Sequence, residues 1–172
     1  MLYGLCQTFI QLTLEGDEVY TVVGQRTDPA DSIGWTAIIL ERASRFLVDQ
    51  QCGRKDATLF KKVMKSVAAQ VRRTQDTTFL SDGERRYGNA LFELCAQTVR
   101  TGKRGRPRQT LPKGCRVRLK NKGDQRHRRG PKRPKYQAPQ PEHPDTPLDF
   151  PEAAIHANHL EGHNAALRRR NS

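Results

Sequence analysis

The sequence predicts an α/β fold on a mixed sheet, with an antiparallel three-strand meander, flanking helices and a basic, Pro-rich insertion. Three observations carry this. Short β-branched or apolar runs alternate with turn residues early in the chain, a later stretch repeats its apolar residues at helical spacing, and composition shifts abruptly after residue 100. At 172 residues the chain fits a single domain over 1–172, with 101–151 as an insertion or arm within it.

The elements follow in order. Residues 19–23 are β-branched and aromatic, 35–40 form a continuous apolar run after Gly34, and 46–48 begin a third run reaching Gly53. All three suit strands. Asp28, Pro29, Asp31 and Gly34 mark the first connection and residues 41–45 the second, and such short links favour an antiparallel meander. After Gly53 the period changes. Leu59, Val63, Val67 and Val71, flanked by Phe60, Met64 and Ala68, recur at helical spacing, with Lys61, Lys62, Lys65, Arg72 and Arg73 opposite and Asp56 as N-cap. Residues 77–80 read as a fourth strand ending in Ser81, Asp82 and Gly83, and a second helix lies around 90–96. Strand, helix, strand implies a crossover, hence a parallel pairing within a mixed sheet.

Residues 101–151 hold nine of the ten prolines, which favours a loop or extended arm. Val117 and Leu119 alternate with Arg116, Arg118 and Lys120, so a short strand or hairpin could interrupt it. From Glu152 onward Ala153, Ala154, Ala157, Leu160, Ala165, Ala166 and Leu167 suit a last helix, interrupted by Gly162.

The formal charge of +13 is unevenly spread. Residues 1–100 hold 13 basic and 12 acidic side chains, residues 101–137 hold 15 and 1, and residues 138–172 hold 3 and 5. One stretch of 37 residues therefore supplies the excess, and its five hydrophobic residues, against 44 in the first hundred, cannot build a core of their own. No apolar run approaches the roughly 18 residues of a membrane span, and the N-terminus lacks a signal-peptide pattern, so a cytoplasmic protein without a membrane partner is expected. Cys6, Cys52, Cys95 and Cys115 are scattered and read as reduced thiols.

Three acids stand out. Asp17 opens the first predicted strand in D-E-V-Y-T-V-V-G, Asp82 closes the fourth in F-L-S-D-G, and Glu161 sits on the last predicted helix. Carboxylates brought together repel, and a hard divalent cation relieves the repulsion. Each acid also has a plainer role: Asp17 can end a strand, Asp82-Gly83 can form a turn, and Glu161 can face solvent.

The motifs G-D-E-V-Y-T-V-V-G, F-L-S-D-G-E-R-R-Y, G-K-R-G-R-P-R and A-N-H-L-E-G-H-N-A-A-L-R-R-R together resemble those of DDE-type insertion-sequence transposases, closest to the insertion-sequence-one family. The resemblance runs from about Glu15 to the C-terminus and lacks the family's N-terminal DNA-recognition region. It implies a ribonuclease H-like domain with Asp17, Asp82 and Glu161 as catalytic and metal-binding triad, Mg2+ or Mn2+ as cofactor, and cleavage and strand transfer of DNA. Asn158 would support the site from the same helix face as Glu161, and Glu18 rivals Asp17, because neighbours on a strand point to opposite faces. DNA, as element ends and target, is the implied partner, with assembly as a homo-oligomer on DNA and a bacterial, nucleoid-associated location. Between Asp82 and Glu161 lie 78 residues, far more than in the family's best-known members. The alternative is a truncated, non-catalytic basic DNA-binding protein.

The arm offers the DNA contacts. Lys103, Arg104, Arg106 and Arg108 surround an Arg-Gly-Arg-Pro core, in which Gly and Pro let an extended backbone lie in a narrow A·T-rich minor groove. Arg126, Arg128, Arg129, Lys132, Arg133 and Lys135 add sequence-blind phosphate contacts. His156, His159 and His163 share helical spacing but have no cysteine nearby, and read as surface histidines rather than a zinc set.

Overall fold

A computed structural model describes residues 11–22, 27–74, 76–100, 107–120, 136–147, 162, 164 and 165. The meander is present: β1 (Gln11–Tyr20), β2 (Trp35–Glu41) and β3 (Leu47–Gly53) pair antiparallel in order. The first strand begins eight residues earlier than residues 19–23 predict. Its first half, Gln11 to Gly16, pairs in parallel with β4 (Asp76–Ser81), a partner some sixty residues away that local pattern does not reveal.

Between β3 and β4 runs α1 (Ala57–Val71), capped as expected by Asp56, whose Oδ1 accepts from the Leu59 amide at 3.0 Å. Its buried residues are Leu59, Phe60, Val63, Met64, Val67, Ala68 and Val71, the full predicted stripe. The second helix, α2 (Arg85–Cys95), starts five residues before the predicted 90–96, with the Glu84 carboxylate accepting from the Arg86 amide at its start. Two short strands, β5 (Gln97–Val99) and β6 (Arg108–Thr110), form a separate ribbon.

The stretch expected to be loop or arm is not uniform. Within it, β7 (Cys115–Lys120) pairs in parallel with β4, and β8 (Tyr136–Gln137) pairs antiparallel with β7. The main sheet is therefore six-stranded and mixed, in the order β3-β2-β1-β4-β7-β8. Leu111, Cys115, Val117 and Leu119 cannot make a core by themselves, but they join the one built by the first hundred residues.

Strand alternation sorts the sheet's two faces. One face, with Leu14, Ala37, Ile39, Phe79, Val117 and Leu119, packs under α1 and α2. The other carries Val19, Ile38 and Leu40, and also Glu15, Thr78 and Arg116, all buried. Residues 138–147 carry the chain around the end of β7. Pro139 lies against Gly88 of α2, the Leu111 amide donates to the Pro141 carbonyl at 2.9 Å, and the Gly114 amide donates to Thr146 Oγ1 at 3.1 Å. Arg116, 3% exposed, then pins the segment by donating from Nε to the Pro147 carbonyl at 2.8 Å, while its Nη1 pairs with Asp76. Among the described residues no helix is long and apolar enough to cross a membrane.

Candidate active site

The site starts from the parallel pairing of β1 with β4. Gly16 and Ser81 are Cα partners, so the next residue on each strand, Asp17 and Asp82, leaves the same point of the sheet. Neighbouring strands are about 4.8 Å apart, which brings the two acids together. Glycine at 16 is required by packing, since a Cβ there would run into the Phe79 ring. Gly83, with φ of 98°, takes the left-handed turn that aims the chain from Asp82 into α2.

Asp17 is in the second half of β1, on the face opposite α1 and α2. Asn164, in a helical residue of the last stretch, donates from Nδ2 to Asp17 Oδ2 at 2.6 Å. Burial raises the Asp17 carboxyl above its ordinary value, and the charges of Glu18 and Asp82 raise it further, while the Glu18 backbone amide and Asn164 act in the opposite direction. Asp82 is faced by an ammonium: Lys120 Nζ, at the end of β7, lies 3.6 Å from its Oδ1.

Glu18 belongs to a different cluster. Its Oε1 accepts from Lys55 Nζ at 2.5 Å on the α1 side of the sheet, where Lys55 also stands 4.2 Å over the Trp35 ring and 4.0 Å from Glu84. Tyr87 of α2 is buried near this cluster, and its hydroxyl is held well above its usual range by burial and then by the Glu18 and Asp17 charges. A further acid, Glu15, is fully buried two residues before Asp17 on the same face, with Arg42 Nε 3.5 Å from Oε1.

Asp17 and Asp82 are thus neighbours. Glu161 and Asn158 lie outside the described residues, as do Lys103, Arg104, Arg106, Arg126, Arg128, Arg129, Lys132, Arg133, Lys135 and the three helical-spaced histidines. Arg108, the one described member of the basic set, is exposed on β6. Sequence reasoning missed Asn164, Lys120 and Glu15. Asn164 stands in the quoted C-terminal motif three positions after Glu161, one helical turn, and Glu15 and Asp17 share the period of two that places strand residues on one face. Lys120 had only the alternation with Val117 and Leu119 as a signal.

Among the described residues no group of three or more His, Cys, Asp and Glu is close enough to hold a metal ion. The residues present nonetheless fit a hard divalent cation: the Asp82 charge is among the causes that raise the Asp17 carboxyl, and Asn164 Oδ1 is buried with no hydrogen-bond partner. Comparison with protein-family models, curated proteins and solved structures gives no match.

Proposed function

We propose that the chain is the catalytic domain of a DDE-type transposase with a ribonuclease H-like fold, cutting and joining DNA phosphodiesters. The observation that carries this reading is the adjacency of Asp17 and Asp82 at neighbouring parallel strands, as the motif resemblance requires of the first two acids. The strand order supports it as well: an antiparallel meander whose first strand sits beside two successive parallel strands, β4 and β7.

In this reading Asp17, Asp82 and Glu161 hold Mg2+ or Mn2+. Bound there, the ions supply Lewis-acid stabilisation of the attacking and leaving oxygens of an in-line displacement. The chain's own groups do the rest. Asn164 fixes the Asp17 carboxylate, and Lys120, partly exposed beside Asp82, offers an ammonium to an incoming phosphate. The basic set from Lys103 to Lys135 holds DNA, as element ends and target, against a site that would otherwise repel it. Assembly as a homo-oligomer on DNA and a nucleoid-associated location belong to the same reading.

The test is nicking and strand transfer with Mg2+ or Mn2+ on DNA, comparing the chain with Asp82→Asn. Loss of activity in the variant is expected, and equal activity in both would remove the catalytic role. One observation favours the second reading, a DNA-binding protein without catalysis: the Lys120 ammonium, 3.6 Å from Asp82 Oδ1, offers that acid a positive charge from the chain itself. That reading expects unchanged DNA affinity in Asp82→Asn and no cleavage by either protein.

A further inference from the structure

Asn164 reaches the site from the far end of the chain, 147 residues beyond Asp17, and is 2% exposed. A side-chain amide has two donor hydrogens and one acceptor oxygen. Nδ2 donates to Asp17 Oδ2 at 2.6 Å, whereas Oδ1 is buried without a hydrogen-bond partner. Buried polar atoms are almost always paired, so an orphaned oxygen beside a half-buried carboxylate calls for a cause. Turning the amide over does not remove the problem. An oxygen would then stand 2.6 Å from Asp17 Oδ2, lone pair against lone pair unless a proton or cation is shared between them, and the buried amide nitrogen would become the orphaned group. In the orientation found, a cation beside Oδ1 completes the pair. Lys120, 3.6 Å from Asp82 Oδ1, already serves the second acid.

We propose that Asn164 positions the Asp17 carboxylate for cation binding and contributes its own amide oxygen to the same divalent ion. The inference rests on the reading of Asp17 and Asp82 as a cation site and adds a residue outside the acid triad. Three oxygen ligands, two carboxylates and an uncharged amide, suit a hard ion such as Mg2+ or Mn2+ over a softer one. The amide differs in function from a third carboxylate. It supplies a ligand atom without adding to the repulsion that already raises Asp17.

The test is calorimetric titration of Mn2+ into the full chain, free of DNA and metal, so that the readout is binding and not turnover. Asn164→Ala should weaken Mn2+ binding about tenfold, in the range typical of groups that orient metal ligands. Asn164→Asp, which keeps an oxygen at the position and adds charge, should bind Mn2+ at least as tightly as the unaltered chain. Unchanged affinity in Asn164→Ala, or weakened affinity in Asn164→Asp, would overturn the inference. If Asn164→Ala does not fold, Asn164→Asp decides alone. Asp17→Asn and Asp82→Asn separate the two claims: if neither alters Mn2+ binding the cation-site reading itself fails, and if both weaken it while Asn164→Ala does not, only the role of Asn164 fails.

Discussion

Lys55 donates to Glu18 at 2.5 Å, and this contact separates two adjacent acids that sequence alone leaves as rivals. Glu18 is held on the face that packs under α1, compensated by an ammonium that also rests on the Trp35 ring. Asp17 points to the opposite face, toward Asn164. The pairing has an electrostatic consequence, because the Glu18 charge is among the causes that raise the Asp17 carboxyl. In Glu18→Gln the Asp17 pKa should fall toward its ordinary value, as read from the pH dependence of its carboxyl carbon by NMR. No change would mean the two acids do not sense each other, and a rise would mean that Glu18 lowers the Asp17 carboxyl instead of raising it.

The raised Asp17 carboxyl also sets a sign for stability. An acid whose pKa is higher folded than unfolded binds its proton more tightly in the fold, so its contribution to stability falls as pH climbs from the unfolded value, 3.8, through the folded one. Asp17→Asn removes that loss. The metal-free variant should melt at a higher temperature than the parent at neutral pH, with the difference shrinking as pH falls through the folded value of Asp17 toward 3.8. A lower melting temperature at neutral pH would show that Asp17 stabilises the fold rather than straining it.

Gly16 and Phe79 occupy each other's space, since a side-chain carbon at 16 would enter the ring. Gly16→Ala should therefore cost about 1–3 kcal/mol in denaturant unfolding, the usual range for overpacking. Adding Phe79→Leu should recover part of the loss, so that the two changes are less than additive. Full additivity would place the cost in the backbone and not in this contact.

Arg116 ties residues 138–147 to the sheet through Asp76, Thr78 and the Pro147 carbonyl. Arg116→Met keeps much of the apolar stem but removes these charge-assisted bonds, at a cost of about 2–3 kcal/mol. Amide exchange should speed up at Leu111 and Thr146, whose backbone donors hold the same segment. Protection unchanged at both sites would mean the segment is held without the arginine.

The basic arm has to be tested by charge and not by deletion, because removing residues 103–135 would also remove β7, an interior strand of the sheet. Replacing Arg126, Arg128, Arg129, Lys132, Arg133 and Lys135 with glutamine should flatten the salt dependence of DNA binding. If about six phosphates are neutralised, the slope of log K against log salt starts near −5 and moves toward zero. An unchanged slope would remove these side chains from the DNA interface.

What the sequence determined by itself is what short-range periodicity encodes. The seven apolar residues of α1, its Asp56 cap, the antiparallel meander and the presence of a crossover with a parallel pairing are legible, because each depends on residues a few positions apart or on the length of one connection, whereas the extent of β1 and its place beside β4 are not. The third acid of the expected triad, Glu161, rests on motif resemblance alone and lies outside the described residues. Only the tertiary structure decided the rest. Residues 11–16 become strand because β4 arrives beside them, and β7 is interior because a Pro-rich, basic stretch still offers one alternating face that a sheet edge can bury. Lys120 meets Asp82, Lys55 takes Glu18 and Asn164 closes on Asp17 across separations of 38, 37 and 147 residues. A contact between such distant residues has no local period to announce it. It exists only once packing has placed the strand ends and the returning chain at one point of the sheet.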